Sequence, residues 1–174
     1  MWRLVYAQQS NSAVRMSNRL SGDYQKAAKV AQALLKGASG ADKQYANLPS
    51  AMKGEPGLKY ALARYYRKRE AYDKAASILA SVPGDARGDP AAWWTERRIV
   101  ARHQIGPSHS GKAQVAYQVA ADSGLSTGEE AVESSFLAGW IALRYLNAPQ
   151  KALKHFNRLA DIAPTRTEKS RAHY

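Results

Sequence analysis

The chain of 174 residues contains no cysteine. That excludes disulfides and thiolate metal sites, and leaves the compartment open, because periplasmic and cytosolic proteins can both lack the residue. There is no apolar run near the roughly 18 residues that a membrane-crossing helix needs. The start, MWRLVYAQQSNSA, has one basic residue and only a few consecutive apolar ones, too few for a secretory leader. A secreted parent would carry its export signal upstream of this chain. GxGxxG and Walker signatures are missing, so the sequence calls for no nucleotide-type cofactor, and the GxSxG of a serine nucleophile is missing too. The four histidines, His103, His109, His155 and His173, never fall at metal-ligand spacing. They read as surface or helix-end residues. Acidic residues are the scarcer charge, 14 against 26 basic ones, which leaves a net charge of +12.

That excess admits an anionic partner: nucleic acid, an acidic membrane surface or an anionic polymer. It is equally the mark of a well-solvated helical surface, since Lys and Arg are scattered, with local runs at Arg64–Arg69 and Arg97–Arg102. No recognised nucleic-acid module accompanies the charge, so nucleic acid is the weakest of these partners.

What is abundant is alanine in helical register. Ala75, Ala113 and Ala152 lie 38 and then 39 residues apart, each followed four residues later by a bulky residue, Leu79, Tyr117 or Phe156. A fixed period in this range predicts stacked helix pairs. The expected fold is all-α, an α-solenoid or superhelix of antiparallel hairpins with about nine or ten helices in a single domain. Helices are expected over about 9–20, 23–36, 42–48, 58–69, 71–81, 91–104, 110–121 and two more in the final hairpin, with another beginning near Thr167. Pro56 suits a helix start, Asp89-Pro90 is a capping carboxylate followed by proline at the first helical position, and Thr127 is a candidate cap. Leu62, Ala63 and Tyr66 match part of the tetratricopeptide pattern, and Ala152, Phe156 and Pro164 its ending. Tyr24-Gln25-Lys26-Ala27-Ala28 echoes Tyr72-Asp73-Lys74-Ala75-Ala76 at 48 residues, so the repeat is irregular. The chain breaks off in its last helix at Tyr174, the pattern of a piece of a longer chain.

Two clusters mix aromatic and basic residues. Trp93, Trp94, Arg97 and Arg98 pair faces that stack on sugars or bases with groups that hold anions. The plainer reading packs one tryptophan between repeats, with Glu96 paired to an arginine; adjacent residues point about 100° apart, which leaves room for one tryptophan at the centre of a core stripe. In the second cluster Tyr66 is expected in the core, while Tyr65 and the basic run of Arg64, Arg67, Lys68 and Arg69 are candidates to face a partner, with a structural role the plainer reading. Glu133-Ser134-Ser135-Phe136 has the Glu-Ser-x-Phe form of a glycosidic general acid and base. It runs into an apolar helix rather than a turn, so Glu133 is expected to be a solvent-facing helix residue, and no catalytic residue is assigned.

Taken in order, Glu55-Pro56-Gly57-Leu58-x-Tyr60-Ala61, Asp89-Pro90-x-x-Trp93-Trp94-x-Glu96-Arg97-Arg98, Ala116-Tyr117-x-Val119-Ala120-Ala121, Glu133-x-x-Phe136-x-Ala138-Gly139-Trp140-x-Ala142-Leu143-Arg144 and Ser170-Arg171-Ala172-x-Tyr174 resemble the superhelical, non-catalytic region of soluble lytic murein transglycosylases of the alphaproteobacterial form. The resemblance covers nearly all of the chain. It implies a periplasmic parent that cleaves the MurNAc–GlcNAc bond of peptidoglycan to a 1,6-anhydro end. It implies, too, a separate lysozyme-like catalytic domain, which this chain lacks. The partners implied are that domain and glycan strands, with Trp93, Trp94, Arg97, Arg98, Tyr65 and Arg64 as candidate contacts. The alternative is a generic tetratricopeptide-like module that binds a protein partner in a concave groove.

Overall fold

A computed structural model describes residues 1–106, 111–165 and 169–170. Among them there is helix and no strand: α1 (Trp2–Tyr6), α2 (Ser10–Ser17), α3 (Gly22–Leu35), α4 (Ala41–Ala46), α5 (Ser50–Lys53), α6 (Pro56–Lys68), α7 (Tyr72–Ala80), α8 (Pro90–Gln104), α9 (Ala113–Ala121), α10 (Glu129–Arg144) and α11 (Pro149–Ile162), with a single 3-10 turn at Gly84–Ala86. The all-α expectation holds, and the eleven α-helices described exceed the nine or ten expected. The additions are the short α1 and α5. The helix expected from about Thr167 lies largely outside the described residues.

Local chemistry sets the helix boundaries. Pro56 and Pro149 stand at the first turns of α6 and α11, where a missing N–H costs nothing. At the start of α8, Asp89 Oδ1 accepts the Ala92 N–H at 3.0 Å, the expected cap. Thr127 does not cap α10. That position belongs to Gly128, whose φ of 90° lies where a side chain is disfavoured. Glu70 and Asn147, at φ 58° and 48°, reverse the chain between α6 and α7 and between α10 and α11.

The chain divides into two compact units, residues 1–92 and 93–174. In the first, α6 is the central helix, packed against α7, α3 and α1. Ala61, Ala63, Ala75, Ala76, Ala27, Ala28 and Ala31 are all fully buried, which lets these backbones approach closely. Because α6 has neighbours on several sides, it buries more than one stripe. Tyr65 is 4% exposed while Tyr66 is half-buried, the reverse of the expected order. Trp2 lies flat over Gly57, where a Cβ would sit 2.6 Å from its ring, and its Nε1 donates to Glu55 Oε2 at 2.7 Å. Tyr24 donates to the other oxygen at 3.1 Å.

In the second unit α10 is central, flanked by α9 and α11. Ala152 and Phe156 of α11 pack against Ala142, and Val132 packs with Leu159 and Ala163. The alanine register therefore seats Ala75 and Ala152 in the core. It slips in α9, where Ala116, Val119 and Ala120 are buried but Ala113 and Tyr117 only half so, Ala113 being the first residue of its helix.

Candidate functional site

On α8, residues 94, 98 and 102 fall four apart and share a face. That row meets Glu133 of α10. Trp94 Nε1 donates to Glu133 Oε2 at 3.0 Å, Arg98 Nη1 to the same oxygen at 3.1 Å, and Arg102 Nη2 to Oε1 at 2.8 Å. Glu133 is thus no solvent-facing residue: its side chain is 26% exposed and both oxygens accept hydrogen bonds. The reason is geometric, since its partners lie 31 to 39 residues away in the chain. Ser134, the next residue, is buried and tied by its hydroxyl to Ser123 Oγ and Ala131 O, each at 3.0 Å.

Beside this cluster opens a groove of about 1050 Å³. Arg98, Arg102 and Ile105 of α8 and its C-terminal turn form one wall. Glu129, Glu130, Glu133, Phe136 and Trp140 of α10 form the other, and Tyr145 meets Trp140 edge to face at 5.2 Å between ring centres.

Of the six candidate contacts named from sequence, this groove takes in Arg98 alone. Trp93 and Trp94 are both buried, against the expectation of one central tryptophan, because α8 is enclosed on two faces. Arg97 is buried beside them, with Nη2 on the Gln118 carbonyl at 3.1 Å. Tyr65 lies in the first unit's core, its ring covered by the Arg69 guanidinium at 4.7 Å, and Arg64 donates to Gln8 Oε1 at 2.7 Å. Arg102, Phe136, Trp140 and Tyr145 were missed as site residues. The available signal was the four-residue row through Trp94, Arg98 and Arg102.

A second polar feature joins α9 to α11. The Tyr117 hydroxyl meets His155 Nε2 at 3.0 Å, with the Lys151 ammonium 5.4 Å from the Tyr117 ring centre. Burial first, then the positive charges of Arg158 and Lys154, push the His155 pKa below its usual 6.5. His109 and His173 lie outside the described residues. Among the described residues no group of three His, Asp or Glu side chains is placed to hold a metal ion, and no helix is long and apolar enough to cross a membrane.

Comparison with protein-family models, with curated proteins and with solved structures finds no match to this chain.

Proposed function

We propose that the hairpins of this chain stack as a superhelical, non-catalytic scaffold of a periplasmic lytic murein transglycosylase, which supports a separate catalytic domain and guides glycan strands. The observation that carries the reading is the state of Glu133. Both of its oxygens already accept hydrogen bonds from Trp94, Arg98 and Arg102, so it serves as the clasp between α8 and α10 rather than as a proton donor to a glycosidic oxygen. Among the described residues, the acids that line the groove all come from α10, and none faces them from α8 across it. Open aromatic and guanidinium groups remain, which suits holding a sugar polymer that bears acidic substituents. The ordered sequence blocks of the resemblance supply the choice of polymer.

The test is co-sedimentation with purified murein sacculi across a salt series, paired with analysis of released fragments. Binding that weakens as salt rises, with no fragment released, is the expected outcome. Release of anhydro-muropeptides that is abolished in Glu133→Gln would sink the non-catalytic reading. The second reading, a tetratricopeptide-like module for a protein partner, is favoured by the packing of Phe156 on Ala142 and Ala152 in the α10–α11 hairpin. It predicts no affinity for sacculi at any salt.

A further inference from the structure

The groove between α8 and α10 presents its chemistry in a fixed order. Along α10 come Glu129 and Glu130, then Glu133 with Arg98 and Arg102 across from it, then Phe136, Leu137 and Trp140. At the helical rise per residue this row runs about 16 Å. Arg98 and Arg102 bring two positive charges and Glu133 one negative, so the middle of the groove keeps one positive charge. Each guanidinium has five N–H donors, and each spends one on Glu133. The two side chains remain 39% and 58% exposed. Glu129 and Glu130 are exposed and form no ion pair with a described residue.

A simple anion would meet repulsion from Glu129 and Glu130. A simple cation would meet Arg98 and Arg102. An uncharged apolar ligand would strip water from both charged stretches and return nothing. The complement is a molecule with a carboxylate, an ammonium group about one helical turn away, some 5 Å, and an apolar group on the far side of the carboxylate. One to two residues of extended peptide span that distance at about 3.5 Å each. We propose that this groove binds short linear peptides with a free C-terminal carboxylate, an apolar last side chain and an ammonium group just upstream. The carboxylate would pair with the open edges of Arg98 and Arg102, the apolar side chain would lie on Phe136 and Trp140, and the ammonium would face Glu129 and Glu130. Glu133 is then a positioning residue: it fixes the guanidinium pair and competes with the ligand carboxylate for it.

The inference concerns the groove alone and goes beyond the murein reading, so the two fail separately. The experiment is calorimetric titration of the whole chain with the tripeptide Lys-Ala-Leu as free acid, as C-terminal amide and as N-acetylated, lysine-acetylated acid. Saturable one-site binding of the free acid is expected, weakened about tenfold or more in either modified peptide, the loss of roughly one charge-assisted contact. Arg102→Gln, at an exposed position, should weaken the acid by a similar factor and leave the amide unchanged. Glu133→Gln should tighten the acid several-fold, a direction that loosening of the structure would not produce. Equal binding of acid and amide, absence of saturable binding to the unmodified chain, or an unchanged affinity in Arg102→Gln would each overturn the proposal.

Discussion

Replacing Gly139 by alanine sets two opposed effects against each other at the α10–α11 contact. In a helix interior the change favours folding by about 1 kcal/mol, because glycine is the more flexible residue in the unfolded chain. Here an added Cβ would fall 2.6, 2.9 and 3.0 Å from three ring carbons of Phe156. Ordinary contact would require the ring to retreat by about 1 Å, and forced overpacking of this kind costs about 1–3 kcal/mol. The ring has little freedom to move: it is buried against Ala142 and Ala152 and meets Phe136 at 6.4 Å between centres. Gly139→Ala should therefore lower stability by about 1 kcal/mol net. In a Phe156→Leu background the obstructing ring edge is gone, and the same substitution should raise stability by up to about 1 kcal/mol. Urea unfolding followed by tryptophan fluorescence reads all four proteins, and the difference between the two backgrounds is the coupling energy, about 2 kcal/mol. An equal effect of Gly139→Ala in both backgrounds would refute the argument, as would stabilisation of the unmodified chain.

At the clasp, Glu133→Ala should cost about 2–3 kcal/mol, because the buried Trp94 indole loses its acceptor. Glu133→Gln keeps an acceptor and loses only two partly exposed ion pairs, so about 1 kcal/mol is expected; denaturation midpoints that reverse this order would contradict the assignment. His155 takes up its proton at a lower pH in the folded chain than the ordinary 6.5. The unfolded chain thus binds more protons just below 6.5, and stability falls as pH drops through that value until the folded histidine also titrates. In His155→Gln, which preserves an acceptor for Tyr117, the fall in unfolding midpoint between neutral pH and the onset of carboxylate titration should be shallower. An unchanged slope would assign the pH dependence elsewhere.

The helices that sequence reveals are those with a clear period and a chemical start, such as α8 behind Asp89-Pro90 and α11 behind Pro149. What stays hidden depends on distant partners. Five residues, Trp2–Tyr6, are too few for a helix to persist alone. α1 exists because Trp2 reaches Glu55 and Gly57, and Tyr6 meets Tyr60 at 5.3 Å. The Tyr65 and Tyr66 reversal and the burial of both Trp93 and Trp94 share one cause. A single-stripe template assumes one buried face, but α6 has helical neighbours on several sides, and α8 buries residues on more than one side. The site was half legible: Arg98 and the Glu133 motif were visible, but not that they touch.

The two units solve the same problem in the same way. A tryptophan side chain is large and apolar and carries one N–H donor with no acceptor. In the first unit that donor is met by Glu55, the residue before α6, and in the second by Glu133, in the early turns of α10. Each carboxylate takes a further donor, Tyr24 in one case and two arginines in the other. At Glu55, the residue before α6, the helix dipole favours the carboxylate, whereas Glu133 lies in the second turn of α10 and has its charge met by two arginines. This accounts for Glu133 without chemistry on a substrate. It also says which partners matter: Trp94→Phe should remove most of the need for an acceptor at 133 while leaving the two arginines paired. The cost of Glu133→Ala should shrink in the Trp94→Phe background by about 1 kcal/mol or more, the desolvation penalty of the stranded indole N–H. If the cost is unchanged, the arginines rather than the indole give Glu133 its structural role, and the parallel with Glu55 fails.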